Sequence, residues 1–97
     1  MSDFAIRREQ DGRRGAFFIE QDGKRLAVQT YTMRERGKAA SIDHTEVDDA
    51  LRGQGIAKKL TVAAVEWARA SGIKLIPICP FAKAVIEKDP TLQDVLA

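Results

Sequence analysis

A switch of hydrophobic period at a double-glycine turn constrains this chain more than any other feature. Before the turn, Leu26, Val28, Thr30 and Thr32 alternate with Ala27, Gln29, Tyr31 and Met33. That period of two belongs to a strand with two distinct faces. After Arg52-Gly53-Gln54-Gly55 come Ile56, Leu60, Ala63, Ala64 and Trp67, with Val62 and Val65 broadening the stripe. Spacings of three and four mark the apolar face of a helix. The chain therefore reads as mixed α+β, with sheet first and helix second.

The first half divides into strands at its turn residues. Phe4-Ala5-Ile6 is a short apolar start, and Gln10-Asp11-Gly12 offers a turn. Ala16-Phe17-Phe18-Ile19 is rich in strand formers, and the Asp-Gly in Gln21-Asp22-Gly23-Lys24 favours a tight hairpin. The alternating segment ends at the polar stretch Arg34–Lys38, and Ala40–Val47 reads as the next strand. This predicts an antiparallel meander of four strands. In the second half, Ser71-Gly72 supplies a glycine C-cap for the helix. Ile73–Ile78 reads as a short strand. Pro80 suits the first position of a further helix over Ala82–Glu87, which Asp89-Pro90 stops. Strand, helix and strand form one β-α-β unit, so its two strands should run parallel. The glycine turn and Cys79 then share the carboxyl edge of the sheet, where α/β folds tend to bind ligands.

The chain has 97 residues, enough for one small domain, read here as 1–97. Apolar residues are 44% and the formal net charge is +2, which argues against disorder. So small an excess does not argue for nucleic-acid binding, and the pairs Arg7-Arg8 and Arg13-Arg14 read as solvated surface. One cysteine excludes an internal disulfide, and with one histidine it gives no basis for a metal site. Met1–Phe4 shows no signal-peptide start, and no apolar run reaches the roughly 20 residues of a membrane helix. The expectation is a cytoplasmic protein.

Arg52-Gly53-Gln54-Gly55-Ile56-Ala57-Lys58 is the stretch that carries chemistry. Two glycines let the backbone bend and approach a ligand closely. The helix that starts there presents unpaired N–H groups and the positive end of its dipole, an anion site suited to phosphates. Arg52, Lys58 and Lys59 add positive charge. The P-loop pattern is absent, and the dinucleotide fingerprint fails because its third glycine position holds Lys58.

Arg52, Gly55 and Ala57 match the pattern Gln/Arg-x-x-Gly-x-Gly/Ala, and with the order of elements the chain resembles the GNAT acyltransferase superfamily. His44-Thr45-Glu46-Val47, and Cys79 after Ile76-Pro77-Ile78, resemble a subfamily of small single-domain GNAT-like proteins. The likeness covers roughly residues 4 to 90. It implies that Arg52, Gly53, Gln54, Gly55, Ile56, Ala57 and Lys58 hold the pyrophosphate of acetyl-coenzyme A. It implies also that main-chain groups of Thr45 and Val47 receive the pantetheine arm as an added strand, where an N–H can stabilise the thioester oxyanion. The chain departs from the family between its first two strands, where Gln10–Arg14 stands in place of one or two helices, and after the second helix, where further strands are usual. Those parts usually shape the acceptor site.

Two side chains are candidates for chemistry. Cys79 is read either as a nucleophile beside a helix N-terminus, which favours thiolate, or as a small buried residue closing a strand. His44 is read either as a general base or as a strand residue, on one strand face with Glu46, while Thr45 and Val47 take the other. Three functions follow: an N-acetyltransferase acting on an amine, a coenzyme A-binding module with little turnover, or a basic binding protein whose glycine turn is only structural.

Overall fold

The computed structural model describes residues 5–97, so the readings made on Met1–Phe4 lie outside the described residues. Four strands form the meander: β1 (Arg7–Asp11), β2 (Arg14–Gln21), β3 (Lys24–Arg34) and β4 (Ala39–Val47). Helix α1 (Ile56–Ser71) follows, then β5 (Lys74–Pro77), α2 (Pro80–Lys88) and a last 3-10 stretch, Pro90–Val95. The sheet order is β1-β2-β3-β4-β5. Its first three pairings are antiparallel and β4–β5 is parallel, as a β-α-β unit requires. The first strand starts at Arg7, one residue beyond the apolar segment read as its beginning. Hydrogen bonding to β2 sets its bounds, from Arg7 opposite Phe18 to Asp11 opposite Arg14.

Helix α1 covers the sheet face that carries Phe17, Ile19, Ala27, Gln29 and Tyr31. It buries Ile56, Leu60, Thr61, Ala64, Val65 and Ala68. Each large apolar side chain among these contributes roughly 1.5–3 kcal/mol of burial. Gly72 ends the helix in the left-handed conformation, its N–H turned back to the last carbonyls. Trp67 is only partly buried. It packs edge-on against Phe17 at 5.6 Å and tilted against Tyr31 at 4.7 Å, beneath the Arg8 guanidinium. Arg8 also donates to the Tyr31 hydroxyl at 2.9 Å, so this member of the first basic pair is tied to the core's edge.

One irregularity decides which side chains reach the site. Thr30 pairs with His44 but Tyr31 pairs with Ile42, so Asp43 is an extra residue bulged from β4. Ala40 and Ile42 face α1. The bulge then shifts the alternation, so that Thr45 and Val47 continue the helix side while His44 and Glu46 face outward.

Candidate functional site

β5 leaves β4 half-way along. Their pairing ends at Ile42 opposite Pro77, where the N–H groups of Ile78 and Cys79 both donate to the Ile42 carbonyl, at 3.0 and 2.8 Å. From Asp43 to Val47 that edge of β4 has no strand beside it among the described residues. On the other edge, the Asp48 N–H donates to the Leu26 carbonyl at 2.7 Å. In an antiparallel strand the main-chain groups alternate in direction, so those of Thr45 and Val47 point away from β3, to the open edge.

A groove of about 930 Å³ runs along this edge. Its walls are Thr45–Val47 of β4 with Asp48 just after it, the turn Leu51–Gly53 with Gly55, the first residues of α1, the start of β3, and Phe81 with Val85 on α2. Gly53 and Gly55 stand at φ +80 and +68, in the left-handed region. Gly55 is the N-cap of α1 and has no side chain to cap it, so the N–H groups of the first turn stay available. Thr45, Val47, Arg52, Gly53, Gly55, Ile56, Ala57 and Lys58 all line this groove. Gln54 does not, because its amide turns back toward the Ala50 carbonyl. Arg52 lines it while its Nε bonds Asp49 Oδ1 at 2.8 Å, with both side chains well exposed.

The two candidates for chemistry lie apart. Cys79 is the N-cap of α2 and is 4% exposed. Its sulfur makes no cap bond and lies 3.3 Å from Thr45 Oγ1, on the helix side of β4. His44 is on the outward face, with Nε2 3.0 Å from Glu46 Oε1, and both side chains are largely exposed. The pairing of His44 with Glu46 is present, and the bulge at Asp43 keeps that pair and Cys79 on opposite faces of the strand.

Several lining residues had no place in the sequence reading. Phe81 is 61% exposed and stands one turn from Val85, beside the buried Ala82 and Ile86. This second apolar stripe on α2, at positions i and i+4, was the available signal. Arg25 lines the other end, bonded to Glu9 at 2.6 and 3.1 Å and stacked 3.9 Å over Phe18. The hydrogen bond it donates to Glu9 raises its already high pKa, so it stays cationic.

A five-stranded mixed sheet with a parallel β-α-β unit, one strand edge left open and a glycine at the N-cap of the helix beside it defines the fold class, and comparison with known proteins assigns the family. A family model described as GCN5-related N-acetyl-transferase matches residues 16–95. The chain belongs to that family. It is similar to Protein NATD1 of Xenopus tropicalis, 33% identical over 90 residues, covering 92% of this chain and 82% of that protein. Human Protein NATD1 is 34% identical over 89 residues, covering 91% and 78%. Among solved structures, a GCN5-like protein of Staphylococcus aureus is 40% identical, with a TM-score of 0.73 over 100% of this chain and 91% of that one. An aminoglycoside N-acetyltransferase in complex with CoA shares the fold, with a TM-score of 0.59 at 14% identity over 91% of this chain and 89% of that one. No described helix is long and apolar enough to cross a membrane.

Proposed function

We propose that the chain, as one domain spanning residues 1–97, binds acetyl-coenzyme A and transfers its acetyl group to an amine. The observation that carries this reading is the joining, in one groove, of an open strand edge and an uncapped helix N-terminus behind two left-handed glycines. The groove volume suits a ligand of cofactor size. The N–H groups of the first turn of α1, from Gly55 onward, receive the pyrophosphate, with Lys58 and Arg52 beside them. The main-chain groups of Thr45 and Val47 take the pantetheine amides as a neighbouring strand would. A further N–H on that edge polarises the thioester oxygen. Phe81 and Val85 form the apolar lip, and Gln54 keeps to the outer side of the turn.

The co-substrate supplies the activated acetyl group. In direct transfer the amine nitrogen attacks the carbonyl carbon, the carbon–sulfur bond breaks, and the departing thiolate takes the proton that the amine gives up. In the two-step form Cys79 first accepts the acetyl group and then passes it on. His44, steadied by Glu46, is the available base on the outward face. The 4% exposure of Cys79 and its separation from His44 favour direct transfer and equally support the second reading, a coenzyme A-binding module with little turnover.

Titration calorimetry with acetyl-coenzyme A tests the binding. Thiol release on addition of polyamines, small amines and peptides tests the transfer. Mass spectrometry after incubation with acetyl-coenzyme A alone tests the covalent form. Binding without thiol release from any acceptor selects the module, and no binding removes both readings.

A further inference from the structure

Asp43, the residue bulged from β4, has no part in the groove, yet neighbouring side chains hold its carboxylate in place. Oδ1 accepts from the Ser41 hydroxyl at 2.7 Å, and Oδ2 accepts from the Thr32 hydroxyl at 2.5 Å. Ser41 is 0% exposed, and its oxygen accepts from Arg34 Nε at 2.9 Å. A guanidinium nitrogen only donates and a carboxylate oxygen only accepts, so Ser41 passes its one hydrogen to Asp43. Thr32 and Arg34 from β3 and Ser41 from β4 thus fix one carboxylate.

Its place on the sheet gives this arrangement a use. Thr32 and Ser41 are register partners on the outward face, so the carboxylate they hold lies on that face too. The helices cover the other face. Asp43 directly follows Ile42, whose carbonyl takes the N–H groups of Ile78 and Cys79 where β5 turns away. It is therefore the first residue of the open edge, at the end remote from the glycine turn. With the pyrophosphate at that turn, the pantetheine arm runs from Val47 toward Thr45, and the thioester comes to the Asp43 end. A rise of about 3.3 Å per residue puts Asp43 no more than roughly 7 Å beyond Thr45. Asp43 is not among the residues that wall the groove, so an acceptor can meet it from the outward side while the cofactor is bound. A carboxylate has about four lone-pair positions, and two are filled here. The side chain is half-buried, and among the described residues no cationic side chain forms an ion pair with it.

We propose that Asp43 selects the acceptor: its carboxylate binds the ammonium group of a cationic alkylamine and sets the nitrogen beside the thioester. An ammonium ion needs a negative charge and hydrogen-bond acceptors, and the open lone pairs of a held carboxylate supply both. The bulge is what turns this side chain to the outward face at the point where the strands part. The bound ion gives one proton to His44, and the free amine then attacks the carbonyl carbon. The inference rests on the acetyl-transfer reading, but the ammonium site is measurable without acetyl-coenzyme A.

Butylammonium chloride and butanol share a carbon chain and differ in charge. Each is titrated into the protein at constant ionic strength, with the amide signals followed by NMR. Butylammonium should move the Asp43 and His44 signals saturably, and butanol should leave them in place. Asp43→Asn should weaken butylammonium binding tenfold or more. Asp11→Asn removes an equal charge from β1, at the far edge of the sheet, and should leave binding within twofold of the parent. A response that does not saturate overturns the proposal, as does an equal response to butanol. So does binding unchanged in Asp43→Asn, or weakened as much by Asp11→Asn. If Asp43→Asn does not fold, the two probes on the parent and on Asp11→Asn decide by the same criteria. Calorimetry with acetyl-coenzyme A on the same proteins should give equal affinities in the parent and Asp43→Asn. A weaker affinity in Asp43→Asn overturns the proposal, because Asp43 then shapes the groove itself. A parent that binds butylammonium at Asp43 but not acetyl-coenzyme A fails the transfer reading and leaves the cation site standing. A parent that binds acetyl-coenzyme A but shows no site at Asp43 fails the present inference alone.

Discussion

Gly15 has no room for a methyl group. An added Cβ would lie 2.2 Å from Tyr31 Cζ and 2.4 Å from its hydroxyl oxygen. The ring cannot give way easily, because Phe17 and Trp67 flank it and Arg8 and Gln10 bond its hydroxyl. Overpacking of this kind costs about 1–3 kcal/mol. Gly15→Ala should lower Tm by at least about 4 °C, read by thermal circular dichroism. An unchanged Tm would show that the ring moves freely. Gly55 presents the opposite case, since a Cβ there meets nothing within 4 Å but sits at φ +68. Holding an L-residue left-handed costs roughly 1–2 kcal/mol. Gly72 has the same φ of +68 at the far end of α1, which makes it a control matched for strain. Gly55→Val and Gly72→Val should lose similar stability, while only Gly55→Val loses acetyl-coenzyme A binding, by tenfold or more. Equal affinities in the two folded variants would remove the pyrophosphate assignment.

At the scale of elements, the last 3-10 stretch is held to α1 by charge. Arg69 bonds both carboxylate oxygens of Asp94, at 2.8 and 2.6 Å, and also reaches the Thr91 carbonyl. The hydrogen bond from Arg69 holds the Asp94 pKa below its ordinary value of 3.8. The hydroxyl and then the N–H of Thr91 do the same for Asp89, the residue that caps the stretch. A carboxylate whose folded pKa is depressed adds stability that is present above its unfolded value and lost as the pH falls through the folded one. Asp94→Asn should therefore lower Tm at pH 7, and the gap from the parent should shrink on acidification below the ordinary carboxylate range. Both partners are exposed, so the gap will be small. A gap that stays constant down to full protonation would mean that the bond is worth the same without charge.

Across the whole molecule, the helices lie on one side of the sheet and β4 runs past the end of β5. These two facts together make the groove. Its positive charge is unevenly placed, with Lys58 and Arg52 at the glycine turn and Arg25 at the start of β3. Asp49 already partners Arg52, so Lys58 is the freer cation for a phosphate. Affinity for acetyl-coenzyme A should fall as salt rises, because exposed charges are screened over about 10 Å at 0.1 M. Lys58→Ala should flatten that dependence more than Arg52→Ala does. Calorimetry at several ionic strengths measures both. An affinity indifferent to salt would mean that main-chain N–H groups alone hold the phosphates.

Much of this was legible in local pattern. The switch of period at Gly53 and Gly55 marked where sheet gives way to helix, since two-fold and 3.6-fold repeats each expose one apolar face. Gly72 and Pro80 set a helix end and a helix start by their own backbone limits. The order of elements implied a parallel pair and put the glycine turn and Cys79 on one edge. What the chain cannot show locally is relative position. The bulge at Asp43 arises from pairing with β3 fourteen residues away, Thr30 against His44, and it sends His44 outward and Thr45 inward. The early departure of β5, which opens the edge at Thr45 and Val47, depends on where Ile78 and Cys79 turn onto the Ile42 carbonyl. Gln29 looks like an ordinary polar member of an alternating strand until α1 folds over it and brings Thr61 within 3.0 Å. Side-chain chemistry and period are local properties, whereas the face that a residue takes and the partner that its hydrogen finds are settled only by contacts distant in sequence.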